Sequence, residues 1–181
     1  MRSWAADLLY HWFTRLDPTD WFSPTPEIDA ELERRFARWI TPLKQRPPRD
    51  FLEGPRETLA AILLFDQVPR NVFRGEGRAF GTDPLARALT RAMMQRGWDM
   101  QVRRGERAFV YMPLMHSEKI ADQRLSVAAF AKLGNSTNLR FARDHARTIY
   151  RFGRFPHRNE VLGRETSAAE RRAIDGGADW S

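Results

Sequence analysis

Three features of the 181-residue sequence predict an all-α fold: apolar residues recur at three- and four-residue steps, helix start and stop signals bracket those runs, and runs of alternating β-branched residues are missing. The helices are expected to pack as a compact array of antiparallel hairpins. No internal period is visible, so any likeness to a helical-repeat protein would be one of shape and not of sequence. With 42% hydrophobic and 29% charged residues, the chain suits one domain over residues 1–181 with a single real core.

Taken in order, Ser3 is placed to cap a first helix through Leu16, and Asp17-Pro18 with Ser23-Pro24-Thr25-Pro26 marks the following turn. Ile28, Leu32, Phe36, Trp39 and Ile40 share one face of a second helix that reaches Leu43 and is broken by Pro47-Pro48. Pro55 suits the first position of a third helix, whose Leu59, Ile62 and Leu63 point one way until Pro69. Thr82-Asp83-Pro84 opens another with Leu85, Leu89 and Met93 aligned and Gly97 as its stop. Ser117 is expected to cap a helix ending at Gly134, and Asn138 one that runs to Gly153. Ser167 with Glu170 forms a capping box for a short last helix. Gly75-Glu76-Gly77 and the Arg154-Phe155-Pro156 turn read as ordered loops.

The net charge of +7 and isoelectric point near 10.6 raise the question of nucleic acid. The basic residues are almost all arginine, lysine standing only at 44, 119 and 132. The field is uneven: the first 66 residues carry −2 and the rest +9. A phosphate-backbone binder would spread basic residues along an exposed face with aromatic platforms. Here they sit in short words with Asp, Asn, Gln and His, so nucleic acid is not the favoured partner. There is no cysteine, which removes disulfide and thiolate-metal chemistry and suits a reducing compartment. The opening residues interrupt their apolar run with Asp7 and lack the apolar core of a signal peptide or membrane span, so the expected location is the cytoplasm, without membrane association. Oligomeric state is not legible.

Three polar clusters fall in telling places. Asp66 lies one turn beyond Ile62 on the apolar face of the third helix and needs a partner, for which Arg70 is nearest; Gln67, Asn71 and Arg74 continue the polar stripe. Glu118 and Asp122 stand four apart, where like charges repel unless an arginine or a metal sits between them, and His116 and Gln123 tilt towards the interior. The third cluster runs from Tyr150 to Arg164 and gathers Arg151, Arg154, His157, Arg158, Asn159 and Arg164 around Phe152, Gly153, Phe155 and Pro156. Arginines held this close call for a negative ligand or carboxylates to neutralise them.

The words L-L-F-D-Q-V-P-R-N-V-F-R-G, A-F-x-x-D, Y-M-P-L-M-H-S-E-x-x-x-D-Q and R-F-G-R-F-P-H-R-N-x-x-L-G-R closely resemble the uncharacterised bacterial family known as domain of unknown function 924. The resemblance runs from Trp12 to Glu170. It implies a compact all-α protein, tetratricopeptide-like in shape, and places Asp66, Gln67, Arg70, Asn71, Arg74, His116, Ser117, Glu118, Asp122, Gln123, His157, Arg158 and Asn159 among the signature positions. It implies no activity. Val68 departs from the aromatic residue that members often carry there, a matter of packing more than chemistry.

Each cluster also has a purely structural reading. Asp66 with Arg70 suits a buried salt bridge, and Glu118 and Asp122 could clamp helices through Arg151 or Arg154. His116 could be a hydrogen bonder near a helix start, His145 a satisfied core histidine, and Ser117 a cap, since no nucleophile elbow surrounds it. Three functions remain. The favoured one is a pocket for a small phosphate or carboxylate, lined by Asp66, Gln67, Arg70, Asn71, Arg74, Gln123, Arg151, Arg154, Arg158, Asn159 and Arg164. The second is a hydrolase with His116 or His157 as base, Glu118 or Asp122 orienting it and arginines stabilising developing charge. The third is an interaction module for an acidic partner, peptide or RNA. His-x-Glu is a weak ligand spacing and the arginines oppose a nearby cation, so neither metal nor cofactor is expected. The sequence leaves open whether the protein is an enzyme.

Overall fold

The computed structural model describes residues 1–176, and every regular element among them is helical. The all-α class therefore holds. The chain divides into two compact units, one built from Met1–Arg74 with Arg78–Pro113 and the other from Gly75–Gly77 with the residues from Leu114 on.

In the first unit, α1 (Ser3–Tyr10) continues into a π-helical turn at His11–Arg15. Ser3 does not cap it; Arg2 holds that position, and its backbone N–H donates to Glu57 Oε2 at 3.1 Å. The expected second helix is three pieces, α2 (Pro26–Leu32), a π turn at Glu33–Ala37 and α3 (Arg38–Leu43). Thr25 caps α2, with Pro26 preset at its first position. The wider π turns shift the side-chain register, and Arg35 of one reaches Nδ1 of His11 in the other at 3.0 Å.

The third helix, α4 (Pro55–Asp66), is the strut of this unit: Leu59 to Asp66 are all fully buried, with α1, α3 and α6 (Asp83–Gln95) packed around it. A helix apolar on every side is stable only when wrapped in this way. After Gln67 the chain re-forms as α5 (Val68–Val72), with Pro69 in its first turn. Phe109 meets Trp12, Phe13 and Trp21 edge-on at 5.0 to 5.7 Å, the arrangement aromatic quadrupoles favour. Phe109 belongs to α7 (Arg107–Met115), a helix the sequence pattern hides because Pro113 inside it reads as a breaker. The division between the units falls directly after Pro113.

The second unit is organised by α8 (Ile120–Leu133) and α9 (Ser136–Phe152). Arg124 near the start of α8 donates from Nε to the Tyr150 hydroxyl near the end of α9 at 2.8 Å, so the pair is an antiparallel hairpin. Two caps differ from expectation. Asn135 caps α9 by accepting from Asn138 N–H, and Lys119 holds the cap position of α8, with Ser117 folding back on it. α9 stops at Gly153, whose φ of +72° favours glycine, and the chain then makes a 3-10 turn at Pro156–Arg158. The last helix, α10 (Ala168–Asp175), starts at the expected capping box: Ser167 Oγ accepts from Glu170 N–H and Glu170 Oε2 from Ser167 N–H. Gly77 lies against this segment so closely that a Cβ would stand 2.5 Å from the Val161 carbonyl oxygen.

Candidate functional site

The motif residues of the first unit form two clasps. Asp66, fully buried at the end of α4, accepts from Gln67 Nε2 at 2.5 Å and pairs with Arg70 at 3.3 Å. Arg70 also reaches Asp83 at the start of α6 at 3.0 Å. Burial acts to lower the Arg70 pKa, but Asp66 and Asp83 more than offset it, so the guanidinium is held firmly charged. A few residues on, Asn71 donates to Asp29 Oδ1 at 2.9 Å, and Arg74 binds both oxygens of Asp29 through a bidentate fork. Asp83 and Asp29 thus supply the negative charge these arginines require. The structural reading of Asp66 with Arg70 describes this geometry, extended by a second carboxylate from α6.

In the second unit, the His116 to Gln123 cluster and the Tyr150 to Arg164 segment come together. Glu118 Oε1 accepts from the Phe155 N–H and from Arg164 NH1, each at 2.9 Å. Burial acts to raise its pKa, but the Arg164 and Phe155 hydrogen bonds, with Arg158 nearby, hold the carboxyl below its ordinary value. Glu118 thus orients Arg164, whereas Arg154 goes to Glu170 and Arg151 lies over Phe152. Asp122 is buried and accepts from the Ser117 hydroxyl at 2.6 Å. Gln123, also buried, donates through Nε2 to the carbonyls of Met115 and Ser117 and so ties down the start of α8.

Phe155 is the hub of the segment. It is fully buried, its ring centroid lies 5.3 Å from His145 and 5.6 Å from His157, and the Arg158 guanidinium stacks over it at 4.4 Å. The His116 ring lies 6.4 Å from that of His145. Burial, then His116, push the His145 imidazole down to about 3, and its Nδ1–H donates to the Phe141 carbonyl at 2.9 Å. A neutral histidine satisfied by backbone is what the core reading of His145 expects. Arg154 binds both oxygens of Glu170 and the Glu165 carbonyl, pinning the start of α10; the Glu170 carboxyl lies well below the usual range because of Arg154 first. Asn159, fully buried, donates to the Thr166 hydroxyl at 3.3 Å. Arg151 lies exposed on Phe152.

An open cleft of about 380 Å³ borders this cluster, lined by Pro156, His157, Glu160, Arg164, Thr166, Arg171 and Ile174. Arg171 was not singled out in the sequence. It lies outside the motif words, although the Ser167–Glu170 capping box that starts α10 sets its place on that helix, directly after Glu170. Among the described residues Arg171 makes no ion pair, and no group of three or more His, Asp and Glu stands in metal-binding geometry.

The family model described as a bacterial protein of unknown function (DUF924) matches residues 8–178. The chain belongs to this family. It is also similar to a solved structure of a protein of unknown function from Agrobacterium tumefaciens, with 37% identity and a TM-score of 0.89 over 96% of this chain and 97% of that one. No curated protein matches. No helix among the described residues is long and apolar enough to cross a membrane.

The motif residues picked out in the sequence divide by unit: Asp66, Gln67, Arg70, Asn71 and Arg74 belong to the first, and His116, Ser117, Glu118, Asp122, Gln123, Arg151, Arg154, His157, Arg158, Asn159 and Arg164 to the second.

Proposed function

We propose that the second unit binds a small anion, a phosphate or carboxylate, in the cleft between the 3-10 turn and α10. The observation that carries this reading is the pairing of two arginines on one cleft: Arg164, held in place by Glu118 at 2.9 Å, and Arg171, which faces solvent without a carboxylate partner among the described residues. An oriented guanidinium loses less freedom on binding than a loose one, and its fork matches the oxygen pairs of such anions. Thr166 adds a hydroxyl and His157 an imidazole to the same lining, while Glu160 disfavours ligands of high negative charge. In this reading Glu118, Arg154, Arg158 and Asn159 position the cleft, and Asp66, Arg70 and Arg74 hold the first unit together. The cytoplasm, where phosphorylated and carboxylated metabolites abound, is the proposed location.

The test is thermal stability against inorganic phosphate, phosphate esters and di- and tricarboxylates at constant ionic strength. A saturable rise is expected, worth about 2.7 kcal/mol at a hundred times Kd, and lost in Arg171→Ala. Because Arg171 is exposed, that variant keeps the unliganded melting temperature. A rise that persists in Arg171→Ala, or no rise with any anion, contradicts the proposal. Hydrolysis is a second reading of the same cleft, favoured by His157 on its wall. Turnover of a stabilising ester that disappears in His157→Gln with binding retained would select it.

A further inference from the structure

The exposed side of the α8–α9 hairpin carries a second basic surface, distinct from the cleft above. Arg140, Arg143, Arg147 and Arg151 follow one another at steps of three, four and four residues, so they form a single stripe about 16 Å long on α9. All four are exposed. One carboxylate stands among them, Asp144, which pairs with Arg147 at 2.6 Å; Arg140, Arg143 and Arg151 make no ion pair among the described residues. Beside the stripe a groove of about 410 Å³ is lined by Arg124, Val127, Arg143, Ala146, Arg147 and Tyr150. Tyr150 is 53% exposed; Arg124 donates to its hydroxyl and lies over its ring, 5.9 Å from the centroid, a place that a stacked base would share or take.

We infer that this face binds single-stranded nucleic acid through its phosphate backbone, with a base seated against Tyr150 on the apolar floor of Val127 and Ala146. A straight row of exposed guanidiniums with an aromatic ring set among them is the arrangement that tracks a phosphate chain while its bases stack. A single strand is preferred to a duplex because only an unpaired base offers its face to the ring. An acidic protein segment would satisfy the arginines, but its carboxylates have no flat group to lay against the exposed ring.

The experiment is fluorescence anisotropy with a labelled twelve-residue oligouridylate, titrated at several salt concentrations. Backbone binding is independent of sequence, so this probe is decisive. With four to five phosphates contacted, log K is expected to fall against log salt with a slope of about −3. Arg143→Ala with Arg147→Ala should make the slope shallower by about 1.4 and weaken binding. Tyr150→Ala should weaken it about tenfold or more. Melting temperatures of these variants should stay at the parent value, since the side chains are exposed. Arg46→Ala with Arg49→Ala, exposed in the first unit, should leave binding unchanged; an equal loss there would mean that net charge alone attracts the probe and would overturn the site. No binding at low salt, equal or tighter binding of duplex, or binding of poly-glutamate in place of oligouridylate would each overturn it too. The small-anion cleft uses none of these residues, so either proposal can fail without the other.

Discussion

His145 and Glu118 show how the surroundings of a half-buried or buried side chain decide whether it keeps its charge. Glu118 keeps its charge because a backbone N–H and Arg164 converge on one oxygen, whereas His145 gives its charge up because burial and basic neighbours oppose it. The pH consequence follows directly. Unfolded, His145 takes a proton near 6.5; folded, only near 3. Between those values the unfolded chain binds the extra proton, so stability is full above 6.5 and declines as pH falls, by about 1.4 kcal/mol per unit. His11, lowered first by burial and then by Arg35, acts in the same direction. Denaturant midpoints for His145→Gln should therefore fall less steeply than the parent's from pH 6.5 to 5. An unchanged slope would show that this imidazole is not the group refusing the proton.

Elements were legible where a local signal marks them and hidden where a distant partner decides. Pro55 at the start of α4, Gly97 after α6, Gly153 after α9 and the Ser167–Glu170 box act within one turn, so spacing alone revealed them. The π turns and α7 left no such mark; no local residue type announces a π turn, and Pro113 masks α7. The candidate site divides in the same way. That Asp66 needs a cation was readable from its face of α4, but that Asp83 and Asp29 complete the clasps, or that Arg164 answers Glu118, depends on contacts across 13 to 46 residues of sequence. Ser167→Ala removes the hydroxyl that caps α10 and should cost about 0.5–2 kcal/mol in urea unfolding. Asp66→Ala leaves the Arg70 charge half-compensated in a buried setting and should cost about 3–5 kcal/mol.

For the whole molecule, the charge asymmetry acquires an address. The excess of +9 beyond residue 66 includes arginines committed to carboxylates, such as Arg154 and Arg164, and arginines left to solvent, such as Arg171 and the stripe on α9. The first group builds and the second can bind, while Arg164, paired with Glu118 and on the cleft wall, is proposed to do both. The family match spans residues 8–178, and the motif residues within it divide between the clasps of the first unit and the cluster beside the cleft in the second. The central claim is that Glu118 holds Arg164 ready so that it and Arg171 together grip an anion. A crystal structure with the most stabilising anion tests it most directly. Density is expected within hydrogen-bonding distance of both guanidiniums, with Glu118 still on Arg164; an anion seated elsewhere, or Arg164 swung away from Glu118 to reach it, would rule this arrangement out.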